Sequence, residues 1–378
     1  MQNKQRIVTA IIFMLMLISL PLITLFSKKE TFSETENRTL AKKSDFSISR
    51  WFDKSFMNGF DKYFSDHFIN RIGWIETKIG AERAIGKDEI NGIYITDERL
   101  IEKIHEPDED ILNSSLDALS KFAGKTELPV YLLIAPTSAG IYADELPDNV
   151  VQPDQKKLIG SIYEKLDPKI TTIDVYNKLL AAKAEYIYYR NDHHWTSLGA
   201  YYAYNTAVQK LGFTPVSYDK FDIEHVSDSF RGTFYSKTLY KDIPADIVDI
   251  YNYTAESKVL SVDVNDGREK KTYDSMYFRE YLSKKDKYST FLGTNQPLVT
   301  IKTNVKSEKK LLIFKDSYAN ALVPFLSQHY SEISLLDMCY VDNYKEYVDL
   351  NNYSQILFLY NSTTFADDEN IRKLAFEW

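Results

Sequence analysis

Residues 311–320 read Leu311-Leu312-Ile313-Phe314-Lys315-Asp316-Ser317-Tyr318-Ala319-Asn320. Four consecutive apolar residues have the pattern of a strand buried on both faces, as in the middle of a parallel sheet. The polar Asp-Ser pair ends the run, and a helical stretch begins directly after it. A serine at such a strand-to-helix turn is exposed at the edge of the sheet, with its backbone N–H at the positive end of a helix. Two roles fit it. Asp316 or Ser317 can cap the helix, which is the commoner use of these residues. Alternatively, Ser317 can be a nucleophile whose own N–H helps to hold an oxyanion.

The same alternation extends outward. Val130–Ala135 (VYLLIA), Lys169–Asp174 (KITTID), Glu185–Arg190 (EYIYYR), Ile333–Leu336 (ISLL) and Ile356–Tyr360 (ILFLY) are strand-like runs with helical segments among them. Strands alternating with helices predict an α/β fold with a mostly parallel sheet, flanking helices, and its chemistry in loops at the carboxyl ends of the strands. Residues 215–308 break this rhythm. IVDIYNY, KVLSVDV and PLVTIKT read as strands, with turn signals such as Asn265-Asp266-Gly267 between them, which predicts an antiparallel β insertion. Ahead of the sheet, Phe52, Phe56, Phe60, Phe64, Phe68, Ile72, Ile75 and Ile79 recur in steps of three and four. That spacing predicts one or two helices with an apolar stripe turned to a core.

A second polar motif, Asn191-Asp192-His193-His194-Trp195, follows the EYIYYR run and precedes a helix. Thr196 or Ser197 is the expected N-cap, Leu198, Tyr201, Tyr204, Val208 and Leu211 form the apolar stripe, and Gly212 stops it. If residues 192–194 are extended, Asp192 and His194 share a face and His193 points away. An Asp beside a His is the base half of a serine triad, because the carboxylate fixes the imidazole tautomer and stabilises the imidazolium. Taken locally, a metal pair or histidines satisfied inside a core remain open. A metal would need a third ligand, and the other histidines, at 67, 105, 225 and 329, are distant in sequence.

Ile7–Phe26 is a nearly unbroken apolar run, long enough as a helix to cross the hydrocarbon of a bilayer. No small-residue cleavage site follows it, so residues 1–27 predict an uncleaved single-pass signal-anchor and 28–50 a polar linker. Lys4 and Arg6 before the run and Lys28 and Lys29 after it leave the positive-inside rule undecided. The remaining residues, 51–378, suffice for one large catalytic domain with the 215–308 insertion. Lys and Arg total 46 against 54 Asp and Glu, and the resulting net charge of -8 argues against binding nucleic acid. The single cysteine, Cys339, excludes an internal disulfide and is expected as a small buried hydrophobe. There is no P-loop, no GxGxxG, and no Cys/His zinc pattern, so neither a cofactor nor a metal is expected.

NDHHW followed by a Gly-Ala-Tyr helix, with a late FKDSYAN, resembles the DHHW family, which is similar to the SGNH-hydrolase-like proteins of bacterial alginate and exopolysaccharide O-acetylation. Glu36-Asn37-Arg38, APTSAGIYADELP at 135–147, FRGTFYSK at 230–237 and FLGTNQPL at 291–298 extend the likeness over nearly the whole chain beyond the apolar run. The resemblance implies an SGNH-like fold and an Asp-x-His pair that precedes the serine. Carried over by position, Asp192 is the orienting acid, His194 the base and Ser317 the nucleophile. Lys315 stands where the usual GDS motif has glycine. The GxN of Gly293 and Asn295 resembles an oxyanion block, and Trp195 and Tyr318, next to the motif residues, are further oxyanion or substrate-side candidates. The implied activity is O-acetyl transfer to a cell-surface or secreted polysaccharide through an acetyl-serine. A membrane protein would be the acetyl donor, and the body would lie outside the cell. A carbohydrate acetylesterase and a catalytically silent polysaccharide-binding component are the alternatives.

Overall fold

The computed structural model describes residues 2–254 and 258–376. The chain divides into two compact units, Met1–Ile90 with Ser236–Lys241, and Asn91–Tyr235 with Asp242–Trp378.

In the first unit, Gln2–Phe26 is a single helix, and Lys4–Phe26 within it is long and apolar enough to cross a membrane. At 1.5 Å per residue its 23 residues span about 35 Å, slightly more than the hydrocarbon layer. In residues 28–50, Asn37 takes up a left-handed turn (φ 50°) between the short paired strands Phe32–Ser33 and Arg38–Thr39. The Arg38 guanidinium donates to both carboxylate oxygens of Asp66, at 2.5 and 3.0 Å, and Asp66 also accepts the Ala41 N–H at 2.8 Å. The Arg38 bond, against the cost of burial, holds the Asp66 carboxyl down to about 2. Six residues of the phenylalanine stripe lie on the helices Ser55–Asp66 and Arg71–Ala84, Phe52 ends the short helix Ile48–Phe52 and Phe68 lies in the turn between, but of the eight only Ile79 is buried. Phe52 is 80% exposed and Phe60 41%. Aromatic side chains four apart support one another along a helix, with Phe56–Phe60 and Phe60–Phe64 ring centroids 6.3 and 6.1 Å apart. That local support adds to a face that is otherwise only half covered, with Phe56, Phe64, Phe68, Ile72 and Ile75 half-buried.

The second unit is built on an eight-stranded sheet. In spatial order its strands are Lys270–Tyr273, Val259–Asn265, Leu298–Thr303, Glu332–Leu336, Lys310–Lys315, Gln355–Asn361, Val130–Ala135 and Ile170–Ile173. The last five run parallel. All seven residues of Gln355–Asn361 are buried, as a strand covered on both faces requires. The other three strands come from the 215–308 region and continue the sheet antiparallel. Phe221–Phe230 and Asp246–Tyr253, from the same region, pair as a separate antiparallel hairpin. Helices including Glu109–Lys125, Ser197–Lys210 and Ala319–Leu326 flank the sheet.

Two expectations change here. EYIYYR does not join the sheet. The chain doubles back at once, with Tyr189 N–H donating to the His194 carbonyl at 3.2 Å and Thr196 N–H to that of Ile187 at 3.0 Å. Burial of Tyr188 and Tyr189 is what fills this run with aromatics. Cys339 is exposed, in a turn where Asp337 accepts its N–H at 3.0 Å.

Candidate active site

Lys310–Lys315 is the fifth strand across the sheet, and the strands that follow it in sequence lie on its opposite sides, Glu332–Leu336 on one and Gln355–Asn361 on the other. Its carboxyl end is therefore a switch point, where open α/β sheets leave a crevice. Asp316 fixes the turn there. One carboxylate oxygen accepts the Tyr318 N–H at 2.9 Å, and the other accepts the backbone and side-chain N–H groups of Asn361, each at 2.7 Å. Asp316 thus ties the serine turn to the neighbouring strand end. Ser317 is left half-buried at the turn, ahead of the helix Ala319–Leu326.

The histidine loop is held from the hairpin. Buried Asp246 accepts the N–H groups of Arg190 and Asn191, at 2.7 and 2.8 Å, and the Tyr186 hydroxyl at 2.6 Å. Thr196 caps the following helix through the Gly199 N–H. Trp195, fully buried, donates its indole N–H to the Tyr318 carbonyl at 3.1 Å and joins the two motifs.

Between the motifs, His194 Nδ1 donates to Asp192 Oδ1 at 2.6 Å, and His194 Nε2 lies 2.7 Å from Ser317 Oγ, placed to accept the hydroxyl proton. Asp192 and His194 are buried. The second Asp192 oxygen accepts the Thr233 N–H at 2.8 Å, and the Gly232 backbone packs against the same carboxylate. Burial opposes the Asp192 charge, but the charges of His193 and His194, the His194 hydrogen bond and the Thr233 N–H outweigh it and hold the carboxyl well below the usual range. Burial and the neighbouring His193 push His194 down to about 4 in spite of Asp192, so the imidazole is neutral and able to accept a proton at neutral pH. Tyr288 stacks on the His194 ring, with centroids 3.5 Å apart and planes 9° apart, and donates its hydroxyl to the Ser317 carbonyl at 2.9 Å.

His193 does not point away. Asp192 Oδ1 also accepts the His194 N–H at 3.1 Å, an Asx-type turn that bends residues 192–194 and cancels strand alternation. The His193 ring lies 3.8 Å from that of His194, and its carbonyl accepts the Tyr318 hydroxyl. With Tyr318, Ser138, Phe234 and Asn361 it lines a pocket of about 90 Å³. Asp192, His193 and His194 offer three ligand atoms within 4.8 Å of one another, closer than the spacing of the histidines implied. Both His194 nitrogens are engaged by Asp192 and Ser317, so a metal would have to displace one of these contacts.

The remaining candidates fall elsewhere. Gly293 donates its N–H to the Ser289 carbonyl at 3.0 Å and turns at φ +79° against Phe278, so that N–H is not offered to an oxyanion. Asn295 uses its carbonyl oxygen to accept from buried Lys315 at 2.7 Å. Trp195 and Tyr318 are wholly buried, and of the two only Tyr318 reaches the pocket. Gly232, Thr233, Tyr288 and Asp246 were not singled out from sequence. Only the FRGTFYSK stretch carried a signal for the first two.

The family model described as "DHHW protein" matches residues 119–336, more than half of the chain and a span that contains both motifs. The chain belongs to the DHHW family. The four letters are Asp192, His193, His194 and Trp195 here. Similar solved structures include a DHHW family protein from Eubacterium siraeum, 27% identical with a TM-score of 0.64, covering 75% of this chain and 95% of that one. PatB1 from Bacillus cereus, in a structure with a sulfonyl adduct, is 20% identical with a TM-score of 0.63, covering 74% of this chain and 97% of its own. The O-acetyltransferase domain of AlgJ from Pseudomonas putida is 15% identical with a TM-score of 0.44, covering 75% and 98%. No curated protein matches the DHHW chain. The fold of this DHHW protein is mixed α/β, with a mostly parallel sheet and flanking helices.

Proposed function

We propose that this DHHW protein is a serine-dependent O-acetyltransferase that acts on a polysaccharide hydroxyl. The observation that carries the reading is the relay Asp192–His194–Ser317, with contacts of 2.6 and 2.7 Å. Ser317 Oγ attacks the acetyl carbonyl carbon of the donor as its proton passes to His194 Nε2. In this reading the Ser317 N–H, just ahead of the Ala319–Leu326 helix and its cap Tyr318, donates to the oxyanion. His194 returns the proton to the departing donor group, leaving acetyl-Ser317. A sugar hydroxyl then attacks the acetyl carbon, His194 takes its proton, and collapse returns that proton to Ser317. The Lys4–Phe26 helix serves as the anchor, with the second unit outside the cell beside a membrane acetyl donor, which raises the donor's effective concentration.

The test is to supply the purified protein with a small activated acetyl ester, with and without oligosaccharide. Acetylated sugar formed only with the acceptor supports transfer. Release of acetate alone would turn the reading to an esterase. No turnover, and no labelling of Ser317 by a sulfonyl fluoride, would leave a polysaccharide-binding component.

The pH profile is a second check. The base must be neutral, so kcat/KM is lost as pH falls through the folded-state value of His194, about 4 instead of the ordinary 6.5. Asp316 also titrates nearby, pushed up to about 6 by burial against the N–H groups it accepts. An acid limb below 5 is therefore expected for His194. A limb near 6 that disappears in Asp316→Asn would assign the loss to Asp316.

A further inference from the structure

We propose that the exposed aromatic face of residues 46–60 lies in the headgroup layer of the membrane and holds the first unit flat against the bilayer. The inference rests on the anchor reading of Lys4–Phe26. Its motivation is the run of exposed apolar side chains around the start of the helical stripe. Phe46, Ile48, Trp51, Phe52, Met57 and Phe60 are all exposed, with Phe52 at 80% and Ile48 at 72%. They are not scattered: the Phe46 ring packs against Trp51 at 6.2 Å and against Phe56 at 5.2 Å, and Phe56 continues to Phe60 at 6.3 Å. A contiguous apolar patch of this kind calls for a covering surface.

The fold places that patch at the exit of the anchor. Thr24 Oγ1, near the end of the Gln2–Phe26 helix, accepts the Ile69 N–H at 3.1 Å, and His67 Nε2 contacts the Glu30 carbonyl at 2.9 Å. Residues 67–69 directly follow the helix Ser55–Asp66. Its 12 residues span about 18 Å, and Phe60 lies seven residues ahead of His67, so the aromatic face starts about 10 Å along this helix from the anchor's exit and continues to the helix's far end. The charges fit an anionic lipid surface. Lys42, Lys43, Arg50, Lys54 and Lys62 stand against Asp45, Asp53 and Asp61, five cations less three carboxylates, or +2, in a chain of net charge -8. Tryptophan and phenylalanine on one face with lysine and arginine around them is the composition of a helix lying in a membrane interface.

The experiment uses the full chain reconstituted in vesicles. In a Cys339→Ser background, Phe52→Cys and, separately, Phe13→Cys are labelled with the environment-sensitive fluorophore NBD. Lipids then carry a nitroxide quencher either near the headgroup or at the bilayer centre. The label at position 52 is expected to shift to the blue and to lose most of its emission to the headgroup quencher, with little loss to the central one. The reverse order is expected at position 13. Replacing anionic with zwitterionic lipid should weaken quenching at 52 and leave 13 unchanged. An unquenched label at 52 with a deeply quenched one at 13 overturns the interfacial face, leaves the anchor standing and points to a protein partner as its cover. Labels unquenched at both sites overturn the anchor and this inference together. Ser65→Cys, at an exposed position on the Ser55–Asp66 helix outside the patch, controls for a label that inserts by itself.

Discussion

Ser317→Ala is expected to reduce acetyl transfer by about 10⁴-fold or more while leaving the protein folded, since triads respond on that scale to loss of a member. The Ser317 hydroxyl makes its contact with His194 and lies half-buried at the crevice, so its loss removes one hydrogen bond and leaves no large cavity. The expected stability change is within about 1 kcal/mol. His194→Ala should be about as severe, and the double variant little worse than either, because the two act on one proton transfer. His193→Ala is expected to keep most of the activity. It makes no contact with Ser317, but its ring packs on His194 and lines the pocket, so a several-fold change is expected. Steady-state rates with a small acetyl ester, measured beside thermal melts, check all four. Full activity in a folded Ser317→Ala protein would remove the acetyl-serine from the mechanism.

Gly232→Ala is expected to be nearly as damaging, through its effect on Asp192. A Cβ built there would lie 2.2 Å from Asp192 Oδ2 and 2.5 Å from its Cβ, so Asp192 must move. Asp192 is held by the His194 N–H, His194 Nδ1 and the Thr233 N–H, and displacing it breaks the contact that sets the His194 tautomer. Loss of that orientation costs about 10⁴-fold in serine triads. Overpacking adds a stability loss of about 1–3 kcal/mol. Gly124→Ala is the control: nothing lies within 4 Å of its added Cβ, and it sits in the helix Glu109–Lys125, so it should be neutral or slightly stabilising. A Gly232→Ala protein with undiminished kcat would show that Asp192 does not orient the base.

Both variants mark a division between kinds of information. The strand-to-helix turn at Ser317, the capped start of the helix at Ser197 and the parallel core strands were legible because each depends on a few adjacent residues: an apolar run, a cap, a stop at Gly212. The family motif then named Asp192, His194 and Ser317. Their meeting, across 123 positions, is a matter of strand order, which local pattern does not encode. The same holds for Tyr288 and Gly232-Thr233, which come from the interrupting region and have no pattern of their own. Strand alternation misplaced His193 because Asp192 bonds two residues ahead and bends the chain, a competition between side chain and backbone that periodicity cannot register. Gly293 looked like an oxyanion donor until its N–H was accounted for by Ser289. For the phenylalanine stripe, the sequence determined a helix and which residues share its face. Only the tertiary structure decided that Ile79 of this face is buried while Phe52 and Phe60 stay exposed, because periodicity fixes the direction of side chains and long-range packing fixes what they meet.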